Sequence, residues 1–162
     1  MDRLRSALKG QYHAGLAMLR QSIERCPDDI WISGDHPRNF WRIAYHGVFY
    51  AHLYLMPNEA AFQPWEKHNE GVTDLWPEAN PEVVEPYSRQ ELMEYVDRIG
   101  VLVDPTIDAM DLDSEDSGFS WYPNFGKLDH LILSIRHTQG HIGQLSELLM
   151  MHGIDTQWMG KR

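Results

Sequence analysis

Residues 127–152 carry the pattern that most restricts the fold. Leu128, Leu131, Ile135, Thr138, Ile142, Leu145 and Leu149 follow one another at steps of three and four, the spacing that keeps side chains on one face of an α-helix. A seam of that length must be covered by other elements. No stretch of the chain shows the residue-by-residue alternation of a half-buried strand, but three more segments carry the helical period. Leu4, Leu8, Tyr12, Leu16, Leu19 and Ile23 define a first helix over 2–25, closed by Pro27. Pro37 suits the first position of a second, with Phe40, Ile43, Gly47, Tyr50 and Tyr54 facing inward and Pro57 at its end. Ser88-Arg89-Gln90-Glu91 is a capping box that opens a third. Its apolar positions are Leu92, Tyr95, Val96, Ile99, Leu102 and Val103, and Pro105 should end or kink it. Gly153 supplies a left-handed cap after the fourth.

Four such helices can bury one another's stripes. The expected fold is therefore all-α, a four-helix bundle formed by residues 1–162 as a single domain. Residues 57–87 hold five prolines and no sustained period. Roughly thirty residues is long for a loop in a compact domain, and Phe62, Trp65, Trp76 and Tyr87 predict that it folds back over the bundle. A crossover of that length also permits the second and third helices to run parallel, which a short turn would forbid. The acidic run at 111–116 fails as a calcium loop, because Asp116 stands where glycine is required and Tyr122 where glutamate is.

A formal net charge of −10 makes the chain a poor ligand for phosphate backbones, so no nucleic-acid partner is expected. Cys26 is the only cysteine, which rules out an intrachain disulfide and fits a reducing compartment. Its place before Pro27 suggests a small residue at a helix end rather than a reactive thiol. The N-terminus lacks the apolar core of a signal peptide, and no window approaches the ~20 apolar residues of a membrane span. A soluble, cytoplasmic protein with no membrane partner is expected.

The chemistry lies in the histidines. His137 and His141 are four residues apart, so they share a helix face and can both point at one ion. His46, on the inward flank of the second helix, would complete three ligands and leave coordination sites open, as in a reactive rather than a structural metal site. The bland reading is a set of polar core residues bonded to their neighbours. Thr138 follows His137 where the zinc-protease motif has glutamate, and no Glu-x-x-His of the di-iron bundles occurs. Of the other histidines, His52 should be a surface or aromatic-packing residue and His13 exposed. His130 shares the stripe without reaching the ion and could line the pocket, and His68 could fold over the site. Arg136 and Gln144 are further candidates to support the ligands.

Two segments together resemble the DinB/YfiT-like metalloprotein superfamily: Asn39-Phe40-Trp41-Arg42-Ile43-Ala44-Tyr45-His46, and Arg136-His137-Thr138-Gln139-Gly140-His141-Ile142-Gly143-Gln144-Leu145. The aromatic crossover and the closing segment from Gly153 to Trp158 add to the likeness, which covers nearly the whole chain. The resemblance implies an up-down-down-up course and a divalent metal held by His46, His137 and His141. It also implies a homodimer. In better understood relatives a low-molecular-weight thiol is cosubstrate in isomerase or S-transferase reactions. Many members carry a further histidine beside the last ligand, and Gly140 stands there in this chain. The expectation is a metal-dependent enzyme acting on a small molecule, with zinc or nickel as the ion best suited to three imidazoles. The same ligands would serve a hydrolase, and a non-catalytic metal- or ligand-binding module is the competing reading. A purely structural helical dimer with core histidines is the third.

Overall fold

The computed structural model describes residues 2–79 and 83–162, and all regular structure among them is helical. Four long helices, α1 (Asp2–Arg25), α3 (Phe40–Leu55), α4 (Arg89–Ala109) and α5 (Lys127–Met150), are joined by one short helix, α2 (Asp28–Trp31), and by single 3-10 turns in the crossover. None of the helices among the described residues is long and apolar enough to cross a membrane.

The seam expected on α5 is buried at Leu131, Thr138, Ile142, Leu145 and Leu149. It ends as the sequence suggests. Gly153 takes φ +74°, and the amides of Gly153 and Ile154 donate back to the carbonyls of Met150 and Leu149, which satisfies the last carbonyls of the helix. Leu8, Tyr12, Leu16, Leu19 and Ile23 are buried on α1, while Leu4, in its first turn, stays 37 % exposed. At the start of α4 the Ser88 hydroxyl accepts from the Glu91 amide and the Glu91 carboxylate accepts from the Ser88 amide, the reciprocal pairing that the capping box predicts.

Three boundaries differ from the sequence expectation. Asp28–Trp31 forms a helical turn where only a break was expected. Its apolar half, Ile30 and Trp31, is buried, so packing stabilises a turn too short to persist alone. Secondly, α3 begins at Phe40 rather than Pro37. Pro37 is instead buried in the preceding turn, and the Asn39 side chain donates to the carbonyls of Ile32 and Gly34. Finally, Pro105 does not end α4, the first of the two outcomes expected of it, and the helix continues to Ala109. Pro105 is exposed and so is Val101, whose carbonyl loses its helical partner, so water can satisfy that group.

Helix α3 packs against α5 and α4, and α1 packs against the same two helices from the other side. Every residue of α3 except Tyr50 is buried. A helix enclosed all round needs cover on all sides, and here the crossover supplies it. Trp65 stacks on Tyr95, Phe62 meets Phe49 and His52 edge-on, and Val72 and Leu75 are buried. Trp76, expected to join this cover, is instead 71 % exposed. Residues 80–82 of the crossover lie outside the described residues.

Candidate metal centre

His46 sits on α3 one residue before Gly47. A Cβ added to Gly47 would lie 3.4 Å from the Cβ of His141 and 3.8 Å from the Leu19 side chain. Both are ordinary van der Waals distances, so α3 and α5 lie close together at the level of the histidines. On α5 the four-residue spacing sets the rings of His137 and His141 4.5 Å apart, centroid to centroid. His46 closes the triangle. Its Nε2 is 3.3 Å from Nε2 of His137, which is 3.2 Å from Nε2 of His141, and one ring nitrogen from each residue lies within 4.8 Å of the others. All three expected ligands converge.

The far side of each ring decides which nitrogen is free. His46 Nδ1 is 2.6 Å from the Thr73 carbonyl oxygen. A carbonyl only accepts, so Nδ1 holds the proton and Nε2 presents its lone pair inward. His141 Nδ1 lies 2.9 Å from Gln144 Oε1 and is fixed in the same sense. His137 Nδ1 is buried without a hydrogen-bond partner among the described residues. With both neighbours presenting lone pairs, a proton on His137 Nε2 can serve only one of the two close contacts. The other sets lone pair against lone pair, an arrangement that a shared cation resolves. The spacing fits one. Two nitrogens each about 2.05 Å from a tetrahedral zinc ion lie about 3.3 Å apart.

The protonation states agree. Burial, reinforced by His141, pushes the His46 imidazole down to about 3. Burial lowers His137 to about 4 and is the main cause that lowers His141. At neutral pH all three are the neutral imidazoles that metal coordination requires. One side of the cluster is aromatic, with the half-buried Tyr50 4.5 Å from the His46 ring and 5.3 Å from that of His137. Its outer side opens into a hollow of ≈ 350 Å³ lined by Tyr122, Arg136, His137, His141 and Gln144.

The remaining histidines are placed elsewhere. His52 is buried, its Nδ1 2.9 Å from the Tyr95 hydroxyl, which makes it the aromatic-packing residue of the two alternatives. His13, half-buried, meets Asp104. His68 stacks on Phe49 and bonds the Tyr45 hydroxyl, beside the cluster and outside it. His130, expected to share the pocket, is fully buried against Phe119, Tyr54 and Tyr122, with both ring nitrogens unpaired among the described residues. Cys26 is buried, and burial pushes its thiol up to about 12, which makes it inert as a nucleophile.

Sequence reasoning missed the Thr73 carbonyl, since a backbone atom leaves no trace in residue type. It also missed Tyr50 as a wall of the site, although the four-residue step from His46 places the two on one face. Searches against family models, curated proteins and solved structures find no match to the chain.

Proposed function

We propose that the chain is a metal-dependent enzyme of the DinB/YfiT-like kind, with His46, His137 and His141 holding a divalent ion, zinc or nickel by donor chemistry. The convergence of three Nε2 atoms at metal-ligand spacing carries this reading. A four-helix bundle with an up-down-down-up course belongs to the same proposal, and the order of contacts supports it. Lys9, His13 and Arg20 of α1 meet Asp108, Asp104 and Asp97 of α4, so numbers rise on one helix as they fall on the other. His46 and Tyr54 meet His137 and His130 in the same inverse order. By contrast Tyr12 and Gly15 approach Leu131 and Thr138 in direct order.

A divalent ion bound by three neutral imidazoles retains its double charge and supplies Lewis-acid activation of a water or thiol near neutral pH. The chain provides the rest. The Thr73 carbonyl and Gln144 fix the tautomers of His46 and His141, and such outer partners typically change metal affinity by about 10–100-fold. Tyr50 covers the His46 and His137 rings on one side, and the hollow beside His141 is the approach for a small substrate. A low-molecular-weight thiol as cosubstrate would make the reaction an S-transfer or isomerisation; water in its place would make it a hydrolysis.

Reconstitution with zinc or nickel, followed by elemental analysis, tests the site. One ion per chain is expected for the native protein and none for His46→Ala at unchanged helical circular dichroism. One-to-one binding retained in His46→Ala and His137→Ala alike would overturn the proposal, as would a native protein that takes up no metal.

A further inference from the structure

Arginines in this acidic chain are mostly engaged. Arg20, Arg89 and Arg98 pair with carboxylates, and Arg5 and Arg25 donate to backbone carbonyls. One exposed arginine at the histidine cluster differs. Arg136 lines the hollow that opens onto His137 and His141, and no carboxylate shares that wall. It forms no ion pair among the described residues.

Tyr122 lines the same hollow, its ring edge-on to Tyr54 and its hydroxyl 3.2 Å from that of Tyr54. Tyr54 in turn lines a second hollow of ≈ 450 Å³ with Tyr50, Glu70 and Trp121, and the two hollows share no lining residue. The hollow at the cluster therefore offers one cation, Arg136, beside one aromatic ring, Tyr122.

We propose that this hollow selects small carboxylates with a flat apolar body, the carboxylate held by Arg136 and the body lying against Tyr122. A guanidinium fork matches the two oxygens of a carboxylate, and aromatic walls favour a planar group. This selectivity rests on the reading of the cluster as the reaction centre, since it presents one end of the ligand beside His137 and His141.

Benzoate and its neutral isostere benzamide are suitable probes, titrated by ¹H–¹⁵N chemical-shift perturbation into the metal-stripped and the zinc-loaded protein. In the stripped protein benzoate should bind about fivefold more tightly than benzamide, the size of one solvent-exposed charge pair. Arg136→Gln should erase that ratio while leaving benzamide affinity unchanged. Equal affinities, no binding of either probe, or a ratio that survives Arg136→Gln would overturn the proposal. A preference seen only with zinc present would also overturn it, by identifying the ion as the anion receptor while leaving the proposed metal site intact. If the protein holds no zinc yet keeps an Arg136-dependent preference, the metal site falls and the carboxylate site stands.

Discussion

Helix α5 carries two kinds of histidine on one stripe, the half-buried His137 and His141 and the fully buried His130, and their surroundings could hardly differ more. His137 and His141 turn their Nε2 atoms toward each other and toward His46. His130, seven residues earlier, has Phe119 stacked on its face at 4.4 Å and no partner for either nitrogen among the described residues. Tyr54 touches both regions, 5.1 Å from the His130 ring and 5.9 Å from that of His137. In both places burial keeps the imidazole neutral. What separates them is whether the neutral ring has somewhere to direct its lone pair. Only the upper pair faces other donors, so only there can burial serve ligation.

The sharpest way to break this contrast is to measure metal affinity in both regions. His137→Ala should weaken zinc binding by more than about a hundredfold, beyond the loss expected for an outer partner alone, whereas His130→Ala should leave it within a few-fold; isothermal titration of zinc reads both. Equal losses would erase the distinction.

Acid should act on the buried histidines outside the cluster. His130 and His52 are both lowered to about 4, in each case mainly by burial. The unfolded rings take up protons near their ordinary value of about 6.5. The stability tied to the neutral folded rings is therefore intact above that pH and lost as pH falls toward 4, by up to about 3 kcal/mol for each ring. Urea denaturation at pH 7, 5.5 and 4.5 should show the decline, and His130→Leu should make it shallower. A pH-independent midpoint across that range would contradict the burial described.

Gln144→Ala should leave the three ligands in place but free the His141 ring to rotate. A loss of about 10–100-fold in zinc affinity is expected, smaller than that of removing a ligand, at unchanged thermal stability of the metal-free protein. The smallest effect is on stability at neutral pH. Because the His130 nitrogens have no partner among the described residues, His130→Leu should be neutral or stabilising by on the order of 1 kcal/mol, read from the urea midpoint. Destabilisation beyond about 2 kcal/mol would point to a satisfied histidine and would end the comparison.

Much of the architecture was legible in the residues. The three- and four-residue steps on α1, α4 and α5 mark the faces that are buried, and the capping box and Gly153 mark two helix ends. Each is a local property, fixed by helical geometry and by hydrogen bonds between near neighbours in the chain. The pair His137 and His141 was legible for the same reason. The misplaced features are those in which distant segments override local preference. Pro37 is drawn into a buried turn, Ile30 and Trp31 stabilise an extra helical turn, and Pro105 continues a helix because its face is wet.

By itself the sequence determined that the chain is helical, which stripes need cover, and that two imidazoles share a face. Only the tertiary structure decided that His46 reaches them while His130 does not, and that the Thr73 carbonyl, 27 residues along the chain, sets the tautomer of His46. The reason is one of range. Periodicity is dictated by backbone geometry within a few residues, whereas the direction of a ring nitrogen depends on what another segment places within about 3 Å of it.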